Sequence, residues 1–103
     1  MEYKKIIFDI LRKKGAFWSH EFPEGVLPDD EIIMEKGLLY LEFEDIPMLF
    51  KLYGRKRLMD FWRDRLVSQG EYYNVINWLL AVEFFHIKNP DQYLKKHAKG
   101  VIN

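Results

Sequence analysis

The stretch YYNVINWLLAVEFFHI, residues 72–87, limits the fold more than any other part of the chain. It is apolar almost all round at helical spacing, and a helix of that kind is normally buried on every side. It contains Asn77 and Glu83 and is too short to span a bilayer, which takes about 20 apolar residues. Other elements must therefore cover it. A chain of 103 residues is long enough for one such core. The expectation is an all-α fold, a single helical domain over residues 1–103. Its form is a compact bundle of about five or six short helices around the central helix 72–87.

The covering helices are legible from spacing and end signals. Tyr3, Ile6, Ile7, Ile10 and Leu11 form one stripe of a helix over 2–14, with Gly15 at its end. Residues 15–28, GAFWSHEFPEGVLP, have no helical period and predict a loop pinned by Phe17, Trp18 and Phe22. Acidic residues 29–31 open the next helix, which runs to about Leu41, although Leu39–Glu44 also alternate as a strand would. Asp45 is placed to cap a helix over 46–53, with Pro47 in its first turn. Gly54 ends that helix, and another follows over 55–68, closed by Gly70. Asn89-Pro90-Asp91-Gln92 is a full start signal for a last helix, to about Ala98.

Composition removes several classes of chemistry. There is no Cys, so disulfides, thiolate metal sites and Cys nucleophiles are excluded. Sixteen basic and sixteen acidic residues cancel, which argues against a nucleic-acid partner. Hydrophobic residues at 49% and charged residues at 31% describe a chain that folds and stays in solution. Asp9 and Arg12 interrupt the apolar part of the N-terminal segment, so it does not read as a signal peptide, and the cytoplasm is the expected location.

Residues 53–65, YGRKRLMDFWRDR, carry the strongest basic signal. At about 100° per residue, Leu58, Met59, Phe61, Trp62 and Leu66 fill one arc of about 160°. Trp62 lies near its middle and should be buried against the 72–87 helix, near Trp78 or Leu79. The opposite side collects Lys56, Arg57, Asp60, Arg63 and Asp64, whose spacings of three and four residues favour mutual pairing. Carboxylates among the cations would repel a phosphate backbone. The alternative is a helix-turn-helix over 46–66 that reaches DNA through Lys56, Arg57 and Arg63. It has Phe50 where the two helices should approach closely, and Asp60 and Arg63 where a recognition helix should be buried.

No catalytic constellation appears, and no enzyme activity, cofactor or metal is expected. His20-Glu21-Phe22-Pro23-Glu24 lacks the second His of a zinc helix, and Pro23 breaks the helix that would present it. His86 reads as a core or rim histidine, and His97 lies near a helix C-terminus. Tyr72, Tyr73, Asn74 and Asn77 read as packing groups and interhelical hydrogen bonders. Three residues stand out as contacts for a protein partner. Phe8 lies off the stripe of its helix, Trp18 sits in the aromatic loop, and Arg65 falls inside an apolar arc. Self-association is left open.

Phe17-Trp18-Ser19, Ile32-Ile33 with Leu38-Leu39, Glu44-Asp45-Ile46 with Leu49-Phe50, and Tyr53-Gly54-Arg55 with Leu58 form a further pattern. Over residues 15–66 it resembles a group of small uncharacterised bacterial helical proteins. Those are often encoded beside nucleotidyltransferase-type toxins of the abortive-infection class. The resemblance implies an accessory or antitoxin-like binding protein and brings no catalytic residues with it.

Overall fold

The computed structural model describes residues 2–17, 22–23 and 25–98. Every regular element among them is helical. The chain divides into two compact units, residues 1–58 and 59–103, and the division falls inside the fourth α-helix.

In the first unit, α1 (Tyr3–Lys13) packs against both α2 (Asp30–Tyr40) and α3 (Pro47–Tyr53). Its core is Ile7 and Leu11 from α1, Ile33, Met34 and Leu38 from α2, and Ile46 and Leu49 around α3, each 2% exposed or less. Of the stripe read from sequence, Ile7 and Leu11 are buried, Tyr3 and Ile10 are half-buried, and Ile6 is exposed. Asp29 stands extended before α2, and Asp30 and Glu31 occupy its positive end. The ambiguity over residues 39–44 resolves as helix to Tyr40, then a turn over 43–46. The expected cap of α3 is corrected. Ile46, not Asp45, holds the N-cap position, and no side chain caps the helix. The amides of Asp45 and Ile46 both donate to the Glu42 carbonyl, at 2.9 and 3.2 Å. That turn buries Ile46 completely, and Pro47 starts the helix with a φ already set and no amide to satisfy. Burial of the aliphatic side chain takes the place of a cap.

The fourth helix, α4 (Arg55–Phe61), starts after Gly54 and runs without a gap into a π-helical turn, Trp62–Leu66. Gly54 sits at φ 83°, ψ 152°, a conformation essentially confined to glycine. A 3₁₀ segment, Val67–Tyr73, follows and is broken at Gly70 (φ 73°, ψ −138°). The helix expected over 55–68 is thus present, but its hydrogen-bond pattern loosens and then tightens along its length.

The second unit continues with α5 (Asn74–Glu83) and α6 (Pro90–His97), both packed against the 3₁₀ segment and against each other. Trp62, Leu66, Leu80, Ala81 and Phe85 form its core, none more than 1% exposed. The expected central helix over 72–87 needs two corrections. The α-helix occupies only Asn74–Glu83, because Phe85 turns inward to the core and His86 adopts φ 51° in solvent. It is also not buried all round. Asn77, Leu80 and Ala81 face inward, while Val75 and Trp78 face out. α6 begins at Pro90 as expected, but the Asn89 side chain makes no capping hydrogen bond.

Candidate functional site

The outward side of α5 is the most distinctive surface of the second unit. At about 100° per residue, Val75, Trp78, Leu79 and Val82 share an arc of about 100°, opposite the buried Asn77. Val75 is 76% exposed and Trp78 40%, and Tyr72, just before the helix, is 80% exposed. Leu79 and Val82 are half-buried. Single exposed apolar residues are ordinary, but these recur at helical spacing and form a stripe. Val75 has no structural reason to be there. It is β-branched, which weakens a helix slightly, and it contributes nothing to the core. Beside the start of the stripe lies a shallow hollow of about 330 Å³, bordered by Glu71, Tyr72, Tyr73, Val75, Ile76 and Leu79. The Tyr72 and Tyr73 rings meet edge to face at 4.6 Å. Tyr72 is thus not the packing group expected from sequence, because it stands out into solvent.

The inward side of the same helix is tied down by a polar contact. Trp62 is fully buried, and its indole Nε1 donates to Asn77 Oδ1 at 3.0 Å. The Asn77 amide in turn donates to the Leu66 carbonyl at 3.2 Å. Leu66 closes the π turn, where the i→i+4 pattern is disturbed. The Trp62 ring stacks on Phe85 at 4.6 Å and lies parallel to Tyr93 at 5.7 Å. Burial of Trp62 against α5 was expected. Asn77 is its polar partner there, while Trp78 points away. Asn77 itself was read from sequence as an interhelical hydrogen bonder, and it is one.

The sequence-derived candidates are scattered. Phe8 is half-buried in an aromatic cluster, 5.2 Å from Phe17 and 5.8 Å from Phe22, with the Arg12 guanidinium 5.8 Å from its ring. Trp18 and His20 lie outside the described residues. Arg65 is exposed, its guanidinium 5.6 Å from the Phe61 ring. The wheel put Arg65 within the apolar arc because it assumed an α-helix. In the π turn each residue advances by less than 100°, so Arg65 swings out of the arc while Leu66 moves toward its middle. Tyr72, Val75 and Trp78 were missed as surface residues, because a helix apolar on two sides was read as buried on both. Asn77 gave no usable signal, because a polar residue ordinarily marks the solvent side of a helix and here it lies on the buried one.

Of the basic residues of 55–65, Arg57 and Arg63 are engaged by carboxylates. Arg57 lies 3.6 Å from Asp30 and 5.1 Å from the Tyr53 ring centre. Arg63 pairs with Asp60 at 3.2 Å and Asp64 at 3.0 Å. Lys56 is exposed. In the first unit, Asp30 gathers Lys4 at 3.1 Å and the Tyr53 hydroxyl at 3.0 Å as well as Arg57. Hydrogen bonds from Lys4 and Tyr53 hold the Asp30 carboxyl below its ordinary range. Burial, then the donated bond to Asp30, raises the Tyr53 phenol. Asp30 therefore links the starts of α1 and α2 to the end of α3. Burial, with Arg63 and Lys96 nearby, lowers the His97 imidazole, whose ring lies 4.5 Å from Tyr93. His86 is exposed and outside the helix, so the expectation of a core or rim histidine is corrected.

Among the described residues no group of three or more His, Asp or Glu could hold a metal ion, and no helix is long and apolar enough to cross a membrane. No protein-family model, no curated protein and no solved structure matches the chain.

Proposed function

We propose that the chain is a protein-interaction module that docks a partner protein on the outward face of α5, in the accessory or antitoxin-like role implied by its resemblance. The observation that carries this reading is the exposure of Val75 and Trp78 on one face of α5, with the exposed Tyr72 sharing a hollow with Val75. Large aromatic side chains are enriched at the energetic centres of protein interfaces, and charged residues are depleted there. Between Arg65 and Lys88 the chain has neither Lys nor Arg, so long basic side chains do not interrupt the stripe. An accessory protein of this kind works in the cytoplasm, and that is the location proposed.

The test compares the tagged parent with Val75→Asn, both purified gently from the native host. Val75 is too exposed for the change to disturb folding, and matching thermal melts check this. The parent should bring down one partner in stoichiometric amount, and the variant should lose it. Repeated recovery of the parent alone would overturn the proposal. So would a partner that the variant retains in full.

A further inference from the structure

A second hollow of the second unit, of about 230 Å³, lies where the 3₁₀ segment, α5 and α6 meet. Three of the residues lining it, Val67, Asn77 and Leu94, are buried and form its floor. Glu71, Asn74, Asp91 and Lys95 stand exposed around it. A largely apolar floor under a few convergent polar groups is the make-up of a small-molecule site. The volume falls below the range of about 300–1,000 Å³ for drug-sized ligands. At about 30 Å³ for each water-sized atom, it takes a molecule of about seven or eight heavy atoms.

The rim side chains are uncommitted. Among the described residues, those of Glu71, Asn74, Asp91 and Lys95 make no hydrogen bond or ion pair. Asp91 and Lys95 are four residues apart on α6, the spacing at which opposite charges ordinarily pair, yet no ion pair joins them. On the floor, the Asn77 amide group gives one N–H to the Leu66 carbonyl and keeps its second. These groups discriminate between ligand classes. An anion would meet two carboxylates and one ammonium, and a simple cation would be repelled by Lys95. A wholly apolar molecule would cover charged groups and return no hydrogen bond to them. A zwitterion with a short apolar tail satisfies both signs of charge and the floor together.

We infer that this hollow binds a free α-amino acid with a small aliphatic side chain. The ligand's ammonium lies between Glu71 and Asp91, and its carboxylate meets Lys95 and the Asn74 amide. Its aliphatic end rests on Val67 and Leu94. One bound molecule thereby bridges the 3₁₀ segment, α5 and α6, so it stabilises the folded second unit by mass action. The site does not rest on the docking face proposed above, because Val75, Trp78 and Val82 take no part in it.

Free L-valine, isobutylamine and isovalerate are the probes, each titrated into the isotope-labelled full chain and followed by amide NMR spectra. The three share one aliphatic end, but the amine lacks the carboxylate and the acid lacks the ammonium. Valine should shift the resonances of Glu71, Asn74, Asn77 and Lys95 saturably, and bind at least about tenfold more tightly than either analogue. Lys95→Gln, at an exposed position, should weaken valine by at least about tenfold and leave isobutylamine no weaker. Asp91→Asn should weaken valine and isobutylamine alike, and Val75→Asn should bind valine as the parent does. Matching thermal melts of the unliganded variants check that all three fold. An analogue that binds as tightly as valine overturns the inference, because one charge then suffices. Absence of a saturable shift from any probe overturns it as well, and so do shifts that both Lys95→Gln and Asp91→Asn leave unchanged.

Discussion

Trp62 and Asn77 form the most consequential pair of side chains in the second unit. Trp62 is fully buried between Phe85 and Tyr93, so Trp62→Ala should cost roughly 3–5 kcal/mol, a large part of a small protein's stability. Asn77 is only 2% exposed and satisfies both the indole N–H and the Leu66 carbonyl. Asn77→Ala should leave both groups unpaired, at about 1–3 kcal/mol each unless water enters. Thermal or urea melts of the two variants measure these costs. A loss below about 1 kcal/mol for Asn77→Ala would show the contact to be dispensable. Arg65→Ala should stay within about 1 kcal/mol of the parent in the same melts, because the guanidinium is exposed and contacts made in water contribute little.

Helix ends and helix faces act differently in α3, α4 and α5. Gly54 separates α3 from α4 at φ 83°, ψ 152°, where a Cβ is strained even though space is open around it. Gly54→Ala should therefore cost about 1–3 kcal/mol through the backbone alone. An unchanged melting temperature would mean that the two helices can rejoin without that turn. Within α5 the two faces should separate cleanly. Leu80 is fully buried and Leu80→Ala should cost about 2–5 kcal/mol, whereas Val75→Asn should stay within about 0.5 kcal/mol. Equal losses at the two positions would make the stripe part of the fold and not a surface for a partner. Sequence periodicity found this helix but overran its ends, expecting 72–87 where the α-helix is Asn74–Glu83, and misjudged its surroundings. Apolar residues on two faces look the same whether the second face meets the chain's own core or another protein.

The whole molecule should lose stability on acidification, for reasons that can be assigned. The His97 imidazole is lowered from its ordinary 6.5 by burial and neighbouring cations. Its contribution is fully present above that value and is lost as pH falls through the lowered one. The Asp30 carboxyl is lowered from 3.8 by its bonds to Lys4 and Tyr53, so its contribution persists to lower pH and then disappears below the ordinary carboxylate range. Melting temperatures measured across pH should decline first below about 6.5 and again below about 4. Asp30→Asn should reduce the second decline, to which Glu42, lowered by its bond from Lys14, also contributes, and leave the first. A variant that keeps both declines unchanged would remove Asp30 from the account.

The sequence by itself determined the all-helical class, the start and end of most helices, the stripe of α1 and the burial of Trp62. These follow from local rules: apolar side chains three and four residues apart, Pro at a first turn, Gly where φ must be positive. Tertiary structure alone decided three other matters. The π turn at Trp62–Leu66 carried Arg65 out of the apolar arc. Inward turning of Phe85 ended α5 early and put His86 in solvent. The choice of which apolar face of α5 to bury left Val75 and Trp78 outside. Each depends on residues distant in sequence. A helix's period fixes which side chains share a face, but only the volume available around Trp62 and the need to satisfy Asn77 fix which face turns inward.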